Sequence, residues 1–96
     1  MPTDESSEPV AIPITGELDL HTFRPGDVPS LLDAYFAECR KSGIRRVRVV
    51  HGKGTGTLRQ VVREALAENP LVTSFKPGAR EEGGDGVTIA QLASLA

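Results

Sequence analysis

Arg46-Val47-Arg48-Val49-Val50 runs straight into His51-Gly52-Lys53-Gly54-Thr55-Gly56, and then into Thr57-Leu58-Arg59-Gln60-Val61-Val62. The first five residues alternate and are rich in valine, which reads as a strand. After the glycines, Leu58, Val61, Val62, Ala65 and Leu66 recur at the spacing of one helix face. Thr57 is the expected N-cap of that helix. Asn69-Pro70 is its expected stop, because the residue before a proline avoids the α region.

Working outward, the same grammar repeats. Upstream, residues 12–20 end in the alternating Glu17-Leu18-Asp19-Leu20 and read as a first strand. Thr22-Phe23-Arg24-Pro25-Gly26 is a turn-rich connection. Asp27 is the expected N-cap of a first helix, with Pro29 in its first turn. Val28, Leu31, Leu32, Tyr35, Phe36 and Cys39 then form one apolar stripe. Arg40 and Lys41 suit the last turn and Gly43 the position just past it. Downstream, Leu71–Lys76 reads as a third strand, residues 77–86 as a loop with four glycines, and Val87–Leu92 as a fourth strand.

The order is β-α-β-α-β-β. Strand–helix–strand crossovers make parallel neighbours and are almost always right-handed. Each helix has one apolar stripe, so both pack on one face of the sheet. The last two strands suit an antiparallel hairpin. The expected fold is an α/β (α+β) two-layer sandwich: a four-stranded mixed sheet with two helices on one face and the other face wet.

Length and composition bound the rest. Ninety-six residues suit one domain. Residues 1–11 are small, polar, acidic and proline-punctuated, and are expected to be a disordered tail before a folded domain at 12–96. No apolar run approaches the ~20 residues a membrane helix needs. The acidic Met1–Pro9 stretch speaks against a secretory signal, and one cysteine, Cys39, allows no internal disulfide. A cytoplasmic protein with no membrane partner is the expectation. Cys39 lies in the helical stripe and reads as a small buried hydrophobe.

The net charge is −2, which argues against a strongly basic DNA-coating protein. The tail holds three acids and no bases; without it, 11 bases face 10 acids, a charge of +1. Arg40, Lys41, Arg45, Arg46 and Arg48 crowd into nine positions. They read either as a solvated helix end and strand surface or as phosphate contacts.

In open α/β sheets, ligands bind beyond the carboxyl ends of the strands. His21 ends the first strand, His51 ends the second, and the glycine loop at 77–86 leaves the third. Parallel strands bring all three to one edge. Alternation sends Leu18 and Leu20 towards the helices, and Asp19 and His21 to the other face. An aspartate beside a histidine orients the ring, which suits a general acid or base; the same pair also suits a strand end hydrogen-bonded to a turn. Arg46 and Arg48 fall on the face of Asp19 and His21, where they would form a basic track or pair with acids such as Glu17.

Gly52-Lys53-Gly54-Thr55-Gly56 precedes a helix, whose unpaired N–H groups favour an anion. The loop serves equally as a phosphate cradle and as a tight turn. It lacks the spacing of a Walker A loop or a dinucleotide fingerprint, so no nucleotide cofactor is expected. His51 suits a catalytic role and a structural one, its ring bonded to backbone at the turn. Zinc-ligand spacing and a G-x-S-x-G elbow are both missing, so neither a zinc site nor a serine hydrolase is expected.

Leu18-Asp19-Leu20-His21, followed after a helix by Val49-Val50-His51-Gly52-Lys53-Gly54-Thr55-Gly56-Thr57-Leu58-Arg59, resembles the small-MutS-related (Smr) domain family. Asn69-Pro70-Leu71-Val72, Phe75 and Gly83-Gly84-Asp85-Gly86-Val87-Thr88 continue the likeness over about residues 16–92. The resemblance implies a sandwich like the C-terminal domain of translation initiation factor three, with the fourth strand between the second and third. It implies nucleic-acid binding and endonuclease activity, on DNA in some members and RNA in others. Cleavage maps to Asp19 and His21, and nucleic-acid contact to His51, Gly52, Gly54 and Gly56. The full candidate set is Asp19, His21 and His51 for catalysis, with Arg24, Arg46, Arg48, Gly52, Lys53, Gly54, Thr55, Gly56 and Arg59 for nucleic acid. Mg²⁺ enters only if the substrate is DNA. Where the family has glycine after its first histidine, this chain has Thr22, which favours a non-catalytic nucleic-acid-binding module. A protein-interaction adaptor is the third reading.

Overall fold

Val47 and Val49 are fully buried, while Arg46 and Arg48, which alternate with them, point the other way. That alternation divides the molecule into its two layers. In the computed structural model, residues 12–54 and 56–94 are described. Their order is β1 (Glu17–Asp19), α1 (Val28–Lys41), β2 (Arg46–Val50), α2 (Thr57–Glu68), β3 (Val72–Pro77) and β4 (Val87–Leu92), with short 3-10 turns at Pro25–Asp27, Arg80–Glu82 and Gly84–Gly86. The acidic tail expected at residues 1–11, and Thr55 of the glycine loop, lie outside the described residues.

The sheet order is β1-β2-β4-β3. β1 and β2 are parallel, with Leu18 opposite Val49. β4 runs antiparallel to β2 and to β3, with Arg48 opposite Ile89 and Phe75 opposite Ala90. The mixed four-stranded sheet with two helices is the architecture expected from the pattern, with the last strand inserted centrally.

The core lies between sheet and helices. Leu18, Leu20, Val47, Val49, Ala90 and Leu92 meet Val28, Leu32, Tyr35, Phe36 and Cys39 of α1 and Val62 and Leu66 of α2. Each large apolar side chain buried here contributes roughly 1.5–3 kcal/mol. Cys39 is part of this core, and burial raises its thiol pKa, which keeps it protonated and unreactive.

Local chemistry moves some boundaries. The first strand shrinks from 12–20 to Glu17–Asp19 because Gly16 turns at φ +93° and Pro13 offers no N–H. Tyr35 replaces the missing ladder: its hydroxyl accepts from the Thr15 and Gly16 amides at 3.3 and 3.1 Å and donates to the Glu17 carbonyl at 3.1 Å. Asp27 precedes α1 but its side chain makes no capping bond, since the Pro25–Asp27 turn already feeds the helix in α geometry. Gly43 ends α1 as expected at φ +80°, its amide on the Arg40 carbonyl (3.1 Å) and that of Ile44 on Cys39 (2.8 Å). Gly56, at φ +88°, takes the N-cap position of α2, and Thr57 becomes its first helical residue. β3 is displaced by one residue at each end, the ordinary uncertainty of an element boundary.

The open sheet face is only partly wet. Residues 78–86 fold back over it, leaving Val87 and Ile89 buried although neither belongs to the main core. Gly83 sits so close to Val87 that a Cβ there would clash at 2.5 Å.

Candidate functional site

The carboxyl ends of β1 and β2 lie side by side, and the chain leaves each through a different device. After β1, the Phe23 amide donates to the Leu20 carbonyl (2.9 Å), closing a turn over His21 and Thr22. No described non-glycine residue has positive φ, so Thr22 takes its place without backbone strain. After β2, Gly52 turns at φ +79°, a conformation in which a Cβ is disfavoured. The amides of His51 and Gly52 both donate to the Gly86 carbonyl, at 2.9 and 3.0 Å. The glycine loop is thus pinned to the start of β4.

Asp19 and His21 form a tight exposed pair. Asp19 Oδ1 accepts from His21 Nδ1 at 2.6 Å and from the His21 amide at 3.0 Å. A carboxylate can only accept here, so Nδ1 carries a proton and Nε2 is the nitrogen left for a substrate. The side chains are 63% exposed for His21 and 52% for Asp19, so the outward nitrogen is reachable. The His21 amide bond, then the ring bond, hold the Asp19 carboxyl below its ordinary pKa; burial opposes them, and the charges of His21 and Arg48 add a lesser downward pull.

His51 is the opposite case. It is 4% exposed, on the helix side of the sheet. Its Nδ1 lies 3.0 Å from the Gly52 carbonyl, which fixes the proton on Nδ1. Nε2 therefore accepts from the Thr88 hydroxyl, at 2.9 Å. Burial pushes its pKa down, and the charges of Arg59 and Arg63 act in the same direction; the Gly52 carbonyl opposes them. Both nitrogens are occupied, so the ring reads as a buried strut of the loop.

The two histidines nevertheless share a cleft of about 270 Å³, with Phe23, Pro25, Gly52, Lys53, Gly54, Gly56, Thr57, Leu58 and Arg59 completing its lining. The larger hollow between α1 and α2, about 500 Å³, is lined by Asp33, Glu64 and Glu68 and holds none of the candidate residues.

The remaining candidates are spread more widely. Arg24 is exposed beside the Pro25–Asp27 turn and does not line the cleft. Arg46 and Arg48 lie on the face of Asp19, as alternation requires, and both are engaged. Arg48 Nε donates to the Glu82 carbonyl at 2.7 Å and its Nη1 pairs with Glu17 at 3.0 Å. Arg46 pairs with the Glu82 carboxylate. The Ala79 amide, first of all, holds the Glu82 carboxyl below its ordinary pKa, and the Arg46 contact adds to it. Among the described residues, no group of three or more His, Cys, Asp or Glu side chains lies close enough to hold a metal ion.

Sequence reading missed Thr88, Glu82 and Phe23. Thr88 had a signal: it is a polar residue on the core-facing side of β4, in line with Ala90 and Leu92. Glu82 had none, because the fold of a ten-residue loop is not written in its spacing.

The family model of the Smr domain matches residues 18–93. Among curated relatives, Endonuclease MutS2 of Halothermothrix orenii is 43% identical over 81 residues, 84% of this chain and 10% of that protein. Endonuclease MutS2 of Geobacillus thermodenitrificans is 45% identical over 76 residues, 79% of this chain and again 10% of the other. The chain spans about a tenth of the length of these relatives. Among solved structures, the Smr domain of Thermus thermophilus MutS2 superposes with a TM-score of 0.77 at 39% identity, over 82% of this chain and 99% of that one. YdaL, a stand-alone small MutS-related protein from Escherichia coli, superposes with a TM-score of 0.75 over 82% of this chain and 65% of its own; at 21% identity it speaks for the fold alone.

Proposed function

The chain belongs to the Smr domain family, and we propose that it is a structure-preferring endonuclease that cleaves DNA or RNA at the cleft between β1 and α2. The observation that carries this reading is the exposed Asp19–His21 pair at the rim of the same cleft as the glycine loop. The names of its MutS2 relatives support the reaction class.

In this reading, His21 Nε2 takes a proton from the attacking oxygen or returns one to the leaving oxygen, and Asp19 orients the ring through Nδ1. Lys53, Arg59 and the amides at the start of α2 hold the phosphate and stabilise the charge that develops on it. Gly52, Gly54 and Gly56 allow the backbone to approach. His51 keeps the loop in place from below. On RNA, the neighbouring 2′-hydroxyl is the nucleophile and no metal is required. On DNA, water would be the nucleophile, and Asp19 would be the carboxylate to hold a Mg²⁺, which would lower the water's pKa.

The test is purified protein at micromolar concentration with nicked, branched, paired and single-stranded DNA and RNA, with and without EDTA. Cleavage of at least one substrate is expected, and EDTA resistance would assign the 2′-hydroxyl route. No cleavage of any substrate would leave the second reading, a non-catalytic nucleic-acid-binding module. That reading is favoured by Thr22, which stands where the family has glycine after its first histidine.

A further inference from the structure

We infer that the cleft takes one unstacked nucleobase, its ring against Phe23, Pro25 and Leu58 and its phosphate against Lys53, Arg59 and the glycine loop, so that an unpaired nucleotide is what the site selects. This rests on the nuclease reading above and supplies a physical reason for structure preference.

The lining of the cleft is of two kinds: His21, Lys53, Arg59 and the glycines are polar or phosphate-ready, while Phe23, Pro25 and Leu58 are apolar. A phosphate alone would use only the first kind. In a duplex the faces of the bases are buried in the stack, so apolar lining next to a phosphate cradle gains a partner only when a base leaves the stack. Aromatic faces accept any base, because every base has a π-face.

Phe23 is placed for this. It is partly buried, and it stands where the cleft meets a second, apolar groove lined by Ile12, Ile14 and Leu31. It packs against the core, which holds it in place. The turn closed by the Phe23 amide on Leu20 puts the ring two residues beyond His21, so base and reacting phosphate engage the same short segment. At about 270 Å³ the cleft lies just below the ~300–1,000 Å³ of ordinary small-molecule sites.

The experiment uses two duplexes of equal length and charge, one fully paired and one with a single unpaired 2-aminopurine, a fluorescent base that dims on stacking. Binding is measured at fixed salt for the parent, Phe23→Leu and Phe23→Tyr. The parent should bind the unpaired duplex about five- to a hundredfold more tightly and quench its fluorescence, as expected for one stacked base. Phe23→Leu keeps apolar bulk and should lose the quench and most of the preference; Phe23→Tyr should keep both. Equal binding of the two duplexes by the parent, or an unchanged quench in Phe23→Leu, would overturn the inference and leave the nuclease reading standing. No salt-dependent binding of either duplex would overturn both. The parent comparison needs no variant, so a failure of Phe23→Leu to fold does not protect the inference.

Discussion

Two histidines line one cleft in opposite circumstances. His21 is exposed, with one nitrogen tied to Asp19 and the other facing solvent; His51 is buried, with both nitrogens tied. General-acid or general-base catalysis needs a nitrogen that can reach the substrate, so the account assigns it to His21 alone. Removing such a group typically costs a factor of 10²–10⁴ in rate. Asp19→Asn keeps the side chain's shape but donates or accepts according to its rotamer. It should lower kcat with little change in KM, which a steady-state assay on the preferred substrate will separate.

His51 yields a stability prediction. Its pKa is depressed in the folded state, so the unfolded chain, with a value near 6.5, takes up a proton first. The neutral ring's contribution is complete above about pH 6.5 and is lost as pH falls towards the depressed folded value. The melting temperature should decline across that interval, and His51→Gln should flatten the decline. His51→Ala strands the Thr88 hydroxyl and the Gly52 carbonyl. A cost of roughly 1–3 kcal/mol corresponds to a drop of at least about 4 °C, measurable by calorimetry. An unchanged melting temperature with abolished cleavage would move His51 into the catalytic group. At this scale the sequence was partly legible. Period-two alternation put Asp19 and His21 on one face and carries Val47, Val49 and His51 to the helix side, but nothing in it showed that His51 would find Thr88 on a strand far along the chain.

Among the elements, the loop between β3 and β4 is what the sequence concealed. Strand and helix periods located β2, β4 and both helices nearly to the residue. Residues 78–86 carry no period, and their position over the open face rests on Arg48, Arg46, Glu17 and Glu82. Arg48 is one-third exposed and has two partners; Arg46 is half-exposed and has one. The two should behave differently from the cleft's own cations. Lys53→Ala and Arg59→Ala should each flatten the dependence of log affinity on log salt by roughly 0.7–0.9, the signature of one lost phosphate contact. Arg48→Ala should leave that slope unchanged and lower the melting temperature instead. Arg46→Ala should remove at most one contact's worth of slope. Equal flattening by Arg48→Ala and Lys53→Ala in a salt titration would restore a track along β2.

On the scale of the whole molecule, the topology does the assembling. Parallel β1 and β2 put His21 and His51 at the same edge, and the return through β4 brings Gly86 under the glycine loop. Crossover handedness made the edge legible from sequence. The central position of β4 was legible only through the family resemblance, since the pairing partner of a last strand is not encoded in its alternation. Lys53 and Arg59 line the cleft at one edge, while Asp33, Glu64 and Glu68 line the groove between the helices, so the chain's net charge of −2 is unevenly spread. The most direct test of the account is the single-turnover cleavage rate of the parent against His21→Ala, on the substrate the parent prefers, with affinity measured in parallel. The account predicts at least a hundredfold slower cleavage at unchanged affinity and salt slope. Cleavage by His21→Ala at the parent's rate would contradict it.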